Sequence, residues 1–239
     1  MQKENIIQRK TFSTELAYLL GIIMLAFGTA LLSRADFGMS MVVAPAYILY
    51  LHFSQIWSFV TFGMMEYTIQ ALLLILLSII LKKFRIPYLF SFITAVLYGF
   101  TLDGFVLLTS ALPVTVVWLR LLYFFCGFAA CTLGVAFMFH TYLSPEAYEL
   151  FVKELAREKH LNISKVKTIF DACFLIIAIT LSFLFFGWLH FRGVNIGTVF
   201  CTLFNGLFIG IWGKWLERRF CFRDYLSLKR YFPQSTEPQ

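Results

Sequence analysis

The sequence predicts an all-α membrane protein with six transmembrane helices in two inverted three-helix repeats, and with non-spanning segments after helices 1 and 4. The first supporting observation is composition: 60% of the 239 residues are hydrophobic, 14% are charged, and the mean hydropathy is +0.79. A water-soluble domain of this length needs more polar residues to cover its surface. Most of the chain is therefore expected to lie in a bilayer.

Long runs that almost lack charge supply the predicted spans. Each run meets or approaches the roughly 20 residues that a helix needs to cross about 30 Å of hydrocarbon. Water is absent there, so the backbone has to satisfy its own hydrogen bonds as a helix. We place the spans at 16–33, 56–81, 88–110, 114–138, 168–190 and 194–213.

The basic residues are sorted between the loops. Only Arg34, Arg120 and Arg192 lie on or near one face, and the other 17 of the 20 Lys and Arg residues fall in the termini and in alternate loops. The positive-inside rule then gives six spans with both termini in the cytoplasm. Because the net charge of +7 is divided among loops in this way, it indicates membrane orientation and not a nucleic-acid partner.

The segment 39–53 is apolar but too short to cross, and a seventh span there would invert every later loop. We therefore predict that it lies on or dips into the outer face as an interfacial or re-entrant half-helix. Gly38 would permit a sharp turn, and Pro45 would interrupt the backbone hydrogen bonding. The charged segment 146–159 holds the matching position after the fourth span. The repeat-end motifs, candidates for lining or gating an entrance, comprise Arg34, Asp36, Gly38, Ser40, Ser144 and Pro145.

An internal similarity at an offset of about 106 residues indicates the repeat. Two glycines seven apart in the first span correspond to two in the fourth, and SFITAVLYG at 91–99 resembles TVFCTLFNG at 198–206. Each half holds three spans, an odd number, so the halves have opposite orientations in the membrane. Inverted repeats of this kind are typical of transporters. We divide the chain into a cytoplasmic N-terminus, two membrane repeats and a basic amphipathic cytoplasmic tail, at 1–15, 16–110, 111–213 and 214–239.

Three stretches resemble the YczE/YyaS/YitT-type bacterial integral membrane proteins: GTALLSRADFGMS, KVKTIFD and GVNIGTVFCTLFNG. The resemblance covers about 16 to 213. In the Gly-x-Ser/Gly-Pro turn of that family, Gly38 and Ser40 are kept and Met41 replaces the proline, whereas Pro145 keeps it in the second half. The resemblance implies this fold and a location in the bacterial inner membrane.

Glu66 is the leading candidate for chemistry within the membrane. It lies ten residues into the predicted second span, about 15 Å deep, and Gln70 follows one turn later on the same face. Tyr98 and Asn205 reach a similar depth, so the four residues form a candidate site for solute or proton transport. The alternative is a protonated Glu66 that only forms hydrogen bonds between helices.

Asp103 and Arg120 are a candidate intramembrane ion pair. Asp103 lies about 22 Å from the cytoplasmic end of its span and Arg120 about 9 Å below the outer end of the next. These depths agree, and a short turn joins the two spans. The pair is either structural or opens during transport.

The sequence contains no enzyme signature, no P-loop and no cluster of His and carboxylates at metal-ligand spacing. We therefore expect no catalytic residue, metal or cofactor, and partners limited to the lipid bilayer and an unknown small solute. The favoured function is a small secondary transporter, of an exporting and proton-coupled kind. The alternative is a non-transporting membrane protein that stabilises or regulates a partner.

Overall fold

The structure is a computed structural model that describes residues 10–187 and 192–224. Eight helices make up most of these residues, and two short strands pair near the ends of the described chain. The elements are β1 Lys10–Ser13, α1 Thr14–Ala35, α2 Ala44–Phe53, α3 Phe62–Leu81, α4 Ile86–Ser110, α5 Val117–Phe139, α6 Ala147–Glu158, α7 Ile163–Phe186, α8 Ile196–Arg219 and β2 Phe220–Arg223.

Six of the described helices are long and apolar enough to cross a membrane, namely α1, α3, α4, α5, α7 and α8. This confirms the predicted all-α membrane class. The helices α2 and α6 have only 10 and 12 residues, so the predicted non-spanning segments are confirmed as well. A span, a short helix and two further spans thus follow one another twice along the chain. The inverted relation between the two halves stays a prediction.

Glycines bring α1 and α5 into close contact. A Cβ added to Gly28 would lie 2.5 Å from the backbone oxygen of Gly127, and one added to Gly21 would lie 3.0 Å from the backbone oxygen of Gly134. The two helices therefore run antiparallel along this seam, and side chains at these positions would push them apart. The predicted repeat matches Gly21 with Gly127 and Gly28 with Gly134. In the structure the contacts are crossed, because Gly28 meets Gly127 and Gly21 meets Gly134.

The second span starts later than the sequence predicts. Residues 54–61 connect α2 to α3, and α3 begins at Phe62 because the Thr61 side chain caps it by accepting a hydrogen bond from the Met64 backbone N–H. Glu66 is therefore four residues into its helix, about 6 Å along the axis. The predicted depth of ten residues is wrong.

The first non-spanning segment enters the protein as irregular chain and leaves as α2. The Met39 N–H donates to the Gly193 carbonyl over 3.0 Å, and the Gly197 N–H donates to the Phe37 carbonyl over 2.8 Å, so the segment is held against the start of α8. The first half of α2 is buried, and the connection after it is exposed. Pro45 lies in the first turn of α2, where the backbone N–H has no partner within the helix. It therefore starts the helix, and the predicted interruption of backbone hydrogen bonding at Pro45 is wrong.

The second non-spanning segment has the same course. Ser91 donates to the Pro145 carbonyl over 2.7 Å and Thr94 donates to the Ser144 carbonyl over 3.1 Å, which holds the irregular stretch against α4. The buried start of α6 follows, and its other end lies beside Arg85, in the connection between α3 and α4. The helix therefore leads from the interior of the protein to the face where α3 ends.

A short parallel strand pair, absent from the sequence analysis, joins the two ends of the described chain. The pairing runs from Lys10↔Phe220 to Ser13↔Arg223. Before it, α8 continues as one helix to Arg219. The two ends therefore lie on the same face, as an even number of spans requires. The assignment of that face to the cytoplasm stays a prediction, and the part of the predicted tail at 225–239 is outside the described residues.

Candidate functional site

A cavity of about 510 Å³ lies between the two halves of the chain. Its walls come from α1, α5 and α8, from the segments 39–43 and 145–153, and from parts of α4 and α7. Cavities of this volume are in the range that holds small organic molecules. The polar residues that line it are Thr29, Ser40, Tyr98, Glu146, Tyr148, Glu149, Lys153, Lys167, Asp171, Thr202 and Asn205.

Glu66 lies behind this wall and is fully buried. Its Oε2 accepts hydrogen bonds from the Tyr148 hydroxyl at 2.8 Å and from Gln70 Nε2 at 3.4 Å. Its Oε1 has no hydrogen-bond partner among the described residues. Since Tyr148 lines the cavity, one hydrogen bond links the buried carboxyl to the cavity wall.

Gln70 connects the same cluster to the start of α6. Its Oε1 accepts a hydrogen bond from the Ala147 N–H over 3.1 Å, and its side chain is completely buried. That N–H belongs to the first turn of a helix and has no partner within the helix. Gln70 therefore satisfies a buried backbone group and also positions Glu66.

The structure brings together only part of the predicted site. Glu66 and Gln70 form one cluster, whereas the Tyr98 hydroxyl donates to Thr29 Oγ1 over 3.0 Å and Asn205 lies on the α8 wall of the cavity. The described residues contain no hydrogen bond from Glu66 to either of the last two. The four residues thus surround one region but divide between the cluster and the cavity wall.

Sequence reasoning missed Tyr148, which is the direct partner of Glu66. The segment 146–159 carries many charges, and this composition does not indicate that one of its residues lies beside Glu66. In the structure one face of α6 is apolar and buried, and Tyr148 is only 2% exposed. The signal was present in the alternation of apolar and charged residues along the helix, which is typical of a helix with one buried face.

Glu146 is the second missed residue. It precedes α6, lines the cavity, and has a shielded Oε1 without a hydrogen-bond partner among the described residues. Burial raises the pKa of the Glu146 carboxyl well above its ordinary value, nearby Glu66 and Glu149 raise it further, and Lys167 opposes them. The carboxyl therefore keeps its proton to a higher pH than an exposed glutamate does.

The other charges in the cavity wall have partners. Lys167 Nζ lies 3.2 Å from Glu149 Oε1 and 3.1 Å from Asp171 Oδ1. The pair with Asp171 is an ordinary ion pair between residues at i and i+4 of one helix. The Lys153 ammonium lies 5.2 Å from the centre of the Phe139 ring.

The predicted ion pair between Asp103 and Arg120 is wrong. Asp103 Oδ2 accepts from Thr61 Oγ1 and its Oδ1 accepts from the Gly63 N–H, both over 2.7 Å. Arg120 instead donates to the Ala35 carbonyl over 2.9 Å and lies 3.4 Å from Asp36 Oδ2. Agreement in depth does not fix which face of a helix a side chain occupies, and these two belong to different helix contacts.

The repeat-end residues of the first half border a second cavity of about 420 Å³. Arg34, Asp36 and Arg120 line it, and Arg34 also donates to the Leu112 carbonyl over 2.6 Å. Ser40 lines the larger cavity, while the backbone of Gly38 lies against Thr198. No described residue lines both cavities, so the described protein between them separates the two.

Within the described ranges, no group of three or more His, Cys, Asp or Glu side chains is placed to hold a metal ion. Of the Glu66 cluster, Tyr148 alone lines the cavity. The Glu146 carboxyl thus lies in the cavity wall and the Glu66 carboxyl lies behind it, and each has one oxygen that lacks a hydrogen-bond partner among the described residues. Groups of this kind can take up and release protons.

Comparison with known proteins adds a family but no activity. Residues 12–214 match the profile of DUF6198, described as a family of unknown function. No curated protein and no solved structure matches the chain. The match names none of the YczE/YyaS/YitT-type proteins, so that resemblance stays a prediction. Because the match covers far more than half of the residues, the chain belongs to the DUF6198 family.

Proposed function

We propose that this protein is a small secondary transporter that moves a small organic solute in exchange for protons. The observation that carries the proposal is the buried Glu66 carboxyl, one oxygen of which has no hydrogen-bond partner among the described residues while the other bonds to a residue of the cavity wall. A carboxyl buried in a membrane protein without a full set of partners is costly. Proton exchange with the cavity gives it a function.

The two cavities support alternating access. The larger one reaches Lys153 and Ile163, on the face that carries both ends of the described chain, and the smaller one reaches Ser110 and Val114, near the opposite face. Between them lie the Tyr98–Thr29 hydrogen bond and the packed rings of Tyr47 and Phe62. Movement of one half of the chain against the other would open these contacts and close the larger cavity.

Proton exchange would also set the direction of transport. In a cell with an acidic exterior, protons enter down their gradient, and a solute exchanged for them leaves. The proposal therefore favours export in the inner membrane of a bacterium, with both chain termini in the cytoplasm, as the distribution of basic residues predicts.

The alternative is a membrane protein that stabilises or regulates a partner without transport or catalysis. Such a protein has no need of a solute-sized space inside its helices. A core sealed by aromatic and leucine side chains would favour it. The cavity instead carries hydroxyl, amide and carboxyl groups from both halves, which favours transport.

The test is solute flux in vesicles reconstituted with the purified protein. A panel of neutral, anionic and cationic organic solutes is presented with an imposed pH gradient and without one. We expect gradient-driven movement of at least one class, and we expect Glu66→Gln to abolish the effect of the gradient. The amide keeps the shape of the side chain but cannot exchange a proton.

Asp103→Asn is the matched control, because Asp103 is also a carboxylate near a helix end but bonds to Thr61 and Gly63 instead of the cavity wall. It should retain coupling. Equal coupled flux in wild type and Glu66→Gln would remove Glu66 from the mechanism. Flux no higher than in empty vesicles, for every solute, would favour the alternative function.

A further inference from the structure

The larger cavity has an uneven charge balance. Lys167 is held between Glu149 and Asp171, a group with a net charge of −1, and Lys153 lies over Phe139. These four side chains together are neutral. Glu146 remains, and it forms no ion pair with any described residue. When Glu146 is ionised, the cavity therefore has one negative charge more than positive charges.

The rest of the lining is mostly apolar and polarisable. Leucine, valine, isoleucine and phenylalanine side chains alternate with three methionines and two cysteines along α1, α5, α8 and the segment 39–43. Methionine adapts to ligands of irregular shape and makes favourable contacts with aromatic rings. Such a surface suits a ligand with an apolar body and few hydrogen-bonding groups.

We propose that this cavity binds small hydrophobic organic cations of charge +1, with Glu146 as the counter-charge. This inference rests on the proposed transport function and names its substrate class. An ammonium or phosphonium group would lie against the Glu146 carboxylate, and its apolar substituents would contact Leu25, Phe128 and Met138.

The position of Glu146 also excludes the opposite charge. The start of a helix ordinarily attracts anions, because its N–H groups and its dipole are positive there. At α6 the residue before the first turn is Glu146, whose side chain forms no hydrogen bond with the N–H groups of the helix, and one of those N–H groups is bonded to Gln70. An anionic ligand at this helix start would therefore meet repulsion from the ionised Glu146 carboxylate.

The ionisable side chains that face Glu146 are Tyr18 from α1, Glu66 from α3, Tyr98 from α4, Cys131 from α5, Tyr148 and Glu149 from α6, and Lys167 from α7. Lys167 alone is positive, and Glu149 already binds it. Binding is therefore best measured at the highest pH at which the protein stays folded, because a higher pH favours ionisation of Glu146. Affinity should weaken when the pH is lowered and the carboxyl takes up a proton.

The experiment measures equilibrium binding to the full-length protein in lipid nanodiscs, corrected for empty nanodiscs. The probes are benzyltrimethylammonium, its neutral carbon analogue neopentylbenzene, and benzenesulfonate. We expect saturable binding of the ammonium only. Glu146→Gln should weaken it at least tenfold, because the amide preserves volume but removes the counter-charge.

Glu217→Gln is the control for removal of one negative charge. Glu217 lies near the end of α8, is exposed, and pairs with His140 outside the cavity. It should leave the affinity within twofold of wild type.

The results distinguish this inference from the proposed function. Cation binding that depends on Glu146, without flux, would support the site and refute transport. Proton-coupled flux of other solutes, without binding of the ammonium, would support transport and overturn this inference. If Glu146→Gln fails to purify as a single species, competition for bound, labelled benzyltrimethylammonium on the wild type decides. Equal displacement of the label by unlabelled ammonium and by neopentylbenzene would overturn the inference. Preferential displacement by the unlabelled ammonium would support it.

Discussion

Segments 36–53 and 140–158 each follow a span, enter the protein as irregular chain and leave as a short helix, but they are held by different interactions. Backbone groups fix the first: the Met39 N–H donates to the Gly193 carbonyl, and the Gly197 N–H donates to the Phe37 carbonyl. Side-chain hydroxyls fix the second, through Ser91 and other residues of α4. The same course of the chain is thus produced by two kinds of contact.

The ends of the two short helices differ in the same way. Near the end of α2, the His52 ring stacks on Phe185 with 4.1 Å between ring centres. Near the end of α6, Arg85 pairs with Glu154 and Glu158. The first segment therefore depends on shape and the second on charge. Glu146 and Tyr148, two ionisable residues that line the cavity, belong to the second segment.

The largest expected effect concerns shape in the first segment. Gly38 has φ of +110°, and an added Cβ would lie 2.5 Å from Thr198 Oγ1. Gly38→Ala should lower the free energy of unfolding by about 3 kcal/mol, through backbone strain together with overpacking. Thermal unfolding in detergent measures this.

Gly187→Ala separates strain from crowding. Gly187 also has a positive φ, of +80°, but among the described residues, its chain neighbours apart, no atom lies within 4 Å of the position of an added Cβ. It should cost only about 1 kcal/mol. Equal losses at the two positions would show that contact with α8 is unimportant for the first segment.

The second prediction concerns charge in the second segment. Because the pKa of Glu146 is raised in the folded protein, the unfolded chain loses this proton first as pH rises. The contribution of Glu146 to stability should therefore fall between its ordinary pKa and the raised one, by at most about 1.4 kcal/mol per pH unit. Wild type should lose stability from pH 5 to pH 8 more steeply than Glu146→Gln.

Asp36→Asn serves as the control from the first segment. Its side chain is 60% exposed, so the loss of this carboxylate and its ion pair should change the free energy of unfolding little. Each variant loses one carboxyl and keeps every other titratable group. A change in the slope of stability against pH that occurs in Glu146→Gln alone therefore comes from Glu146. Parallel slopes for wild type and Glu146→Gln would contradict burial of a protonated Glu146.

The architecture could be predicted from the sequence because it depends on properties averaged over many residues. Hydrophobic run length and the distribution of Lys and Arg determine which segments can cross, whatever the details of packing. The six spans and both non-spanning segments follow from these properties. The start of α3 does not, since one hydrogen bond at Thr61 decides it and residues 56–60 are as apolar as the helix itself.

The candidate site could be predicted only where residues share a helix face. Glu66 and Gln70 are one turn apart, and the structure joins them. Asp103 and Arg120 are on different helices, and depth alone assigned them a partner that local hydrogen bonds replace. Tyr148 and Glu146 are far from Glu66 in sequence, so only the fold of the second segment reveals their proximity.

The third prediction concerns the charged anchor of α6. Glu154 is 6% exposed and lies 3.0 Å from Arg85 and 2.8 Å from Arg157. Arg85→Ala leaves this buried carboxylate with one cation and should cost about 2 kcal/mol of unfolding free energy, less than the loss of a sole partner. Arg85→Ala combined with Glu154→Gln should recover part of the loss.

Lys83→Ala removes a cation that also pairs with α6, through Glu158, but its side chain is 59% exposed. It should cost less than about 0.5 kcal/mol. Unfolding by detergent titration in low salt measures both variants. Similar losses for Arg85→Ala and Lys83→Ala would mean that burial of Glu154 does not anchor the second segment.

The smallest expected effect concerns Ser144, which lies in the irregular stretch of the second segment as Gly38 lies in that of the first. Ser144 is 5% exposed and donates a hydrogen bond to the Pro87 carbonyl over 3.2 Å. Ser144→Ala removes this bond but leaves the backbone conformation and the bond from Thr94 to the Ser144 carbonyl intact. It should therefore cost about 1 kcal/mol, the usual value for one buried neutral hydrogen bond. Since α4 holds the segment by several such bonds, the losses from Ser144→Ala and Ser91→Ala should be more than additive when combined, because each single variant keeps the segment attached and the double variant lets it detach. A loss from Ser144→Ala as large as that from Gly38→Ala would mean that shape controls both segments, and the division between a shape-held and a polar-held half would then be wrong.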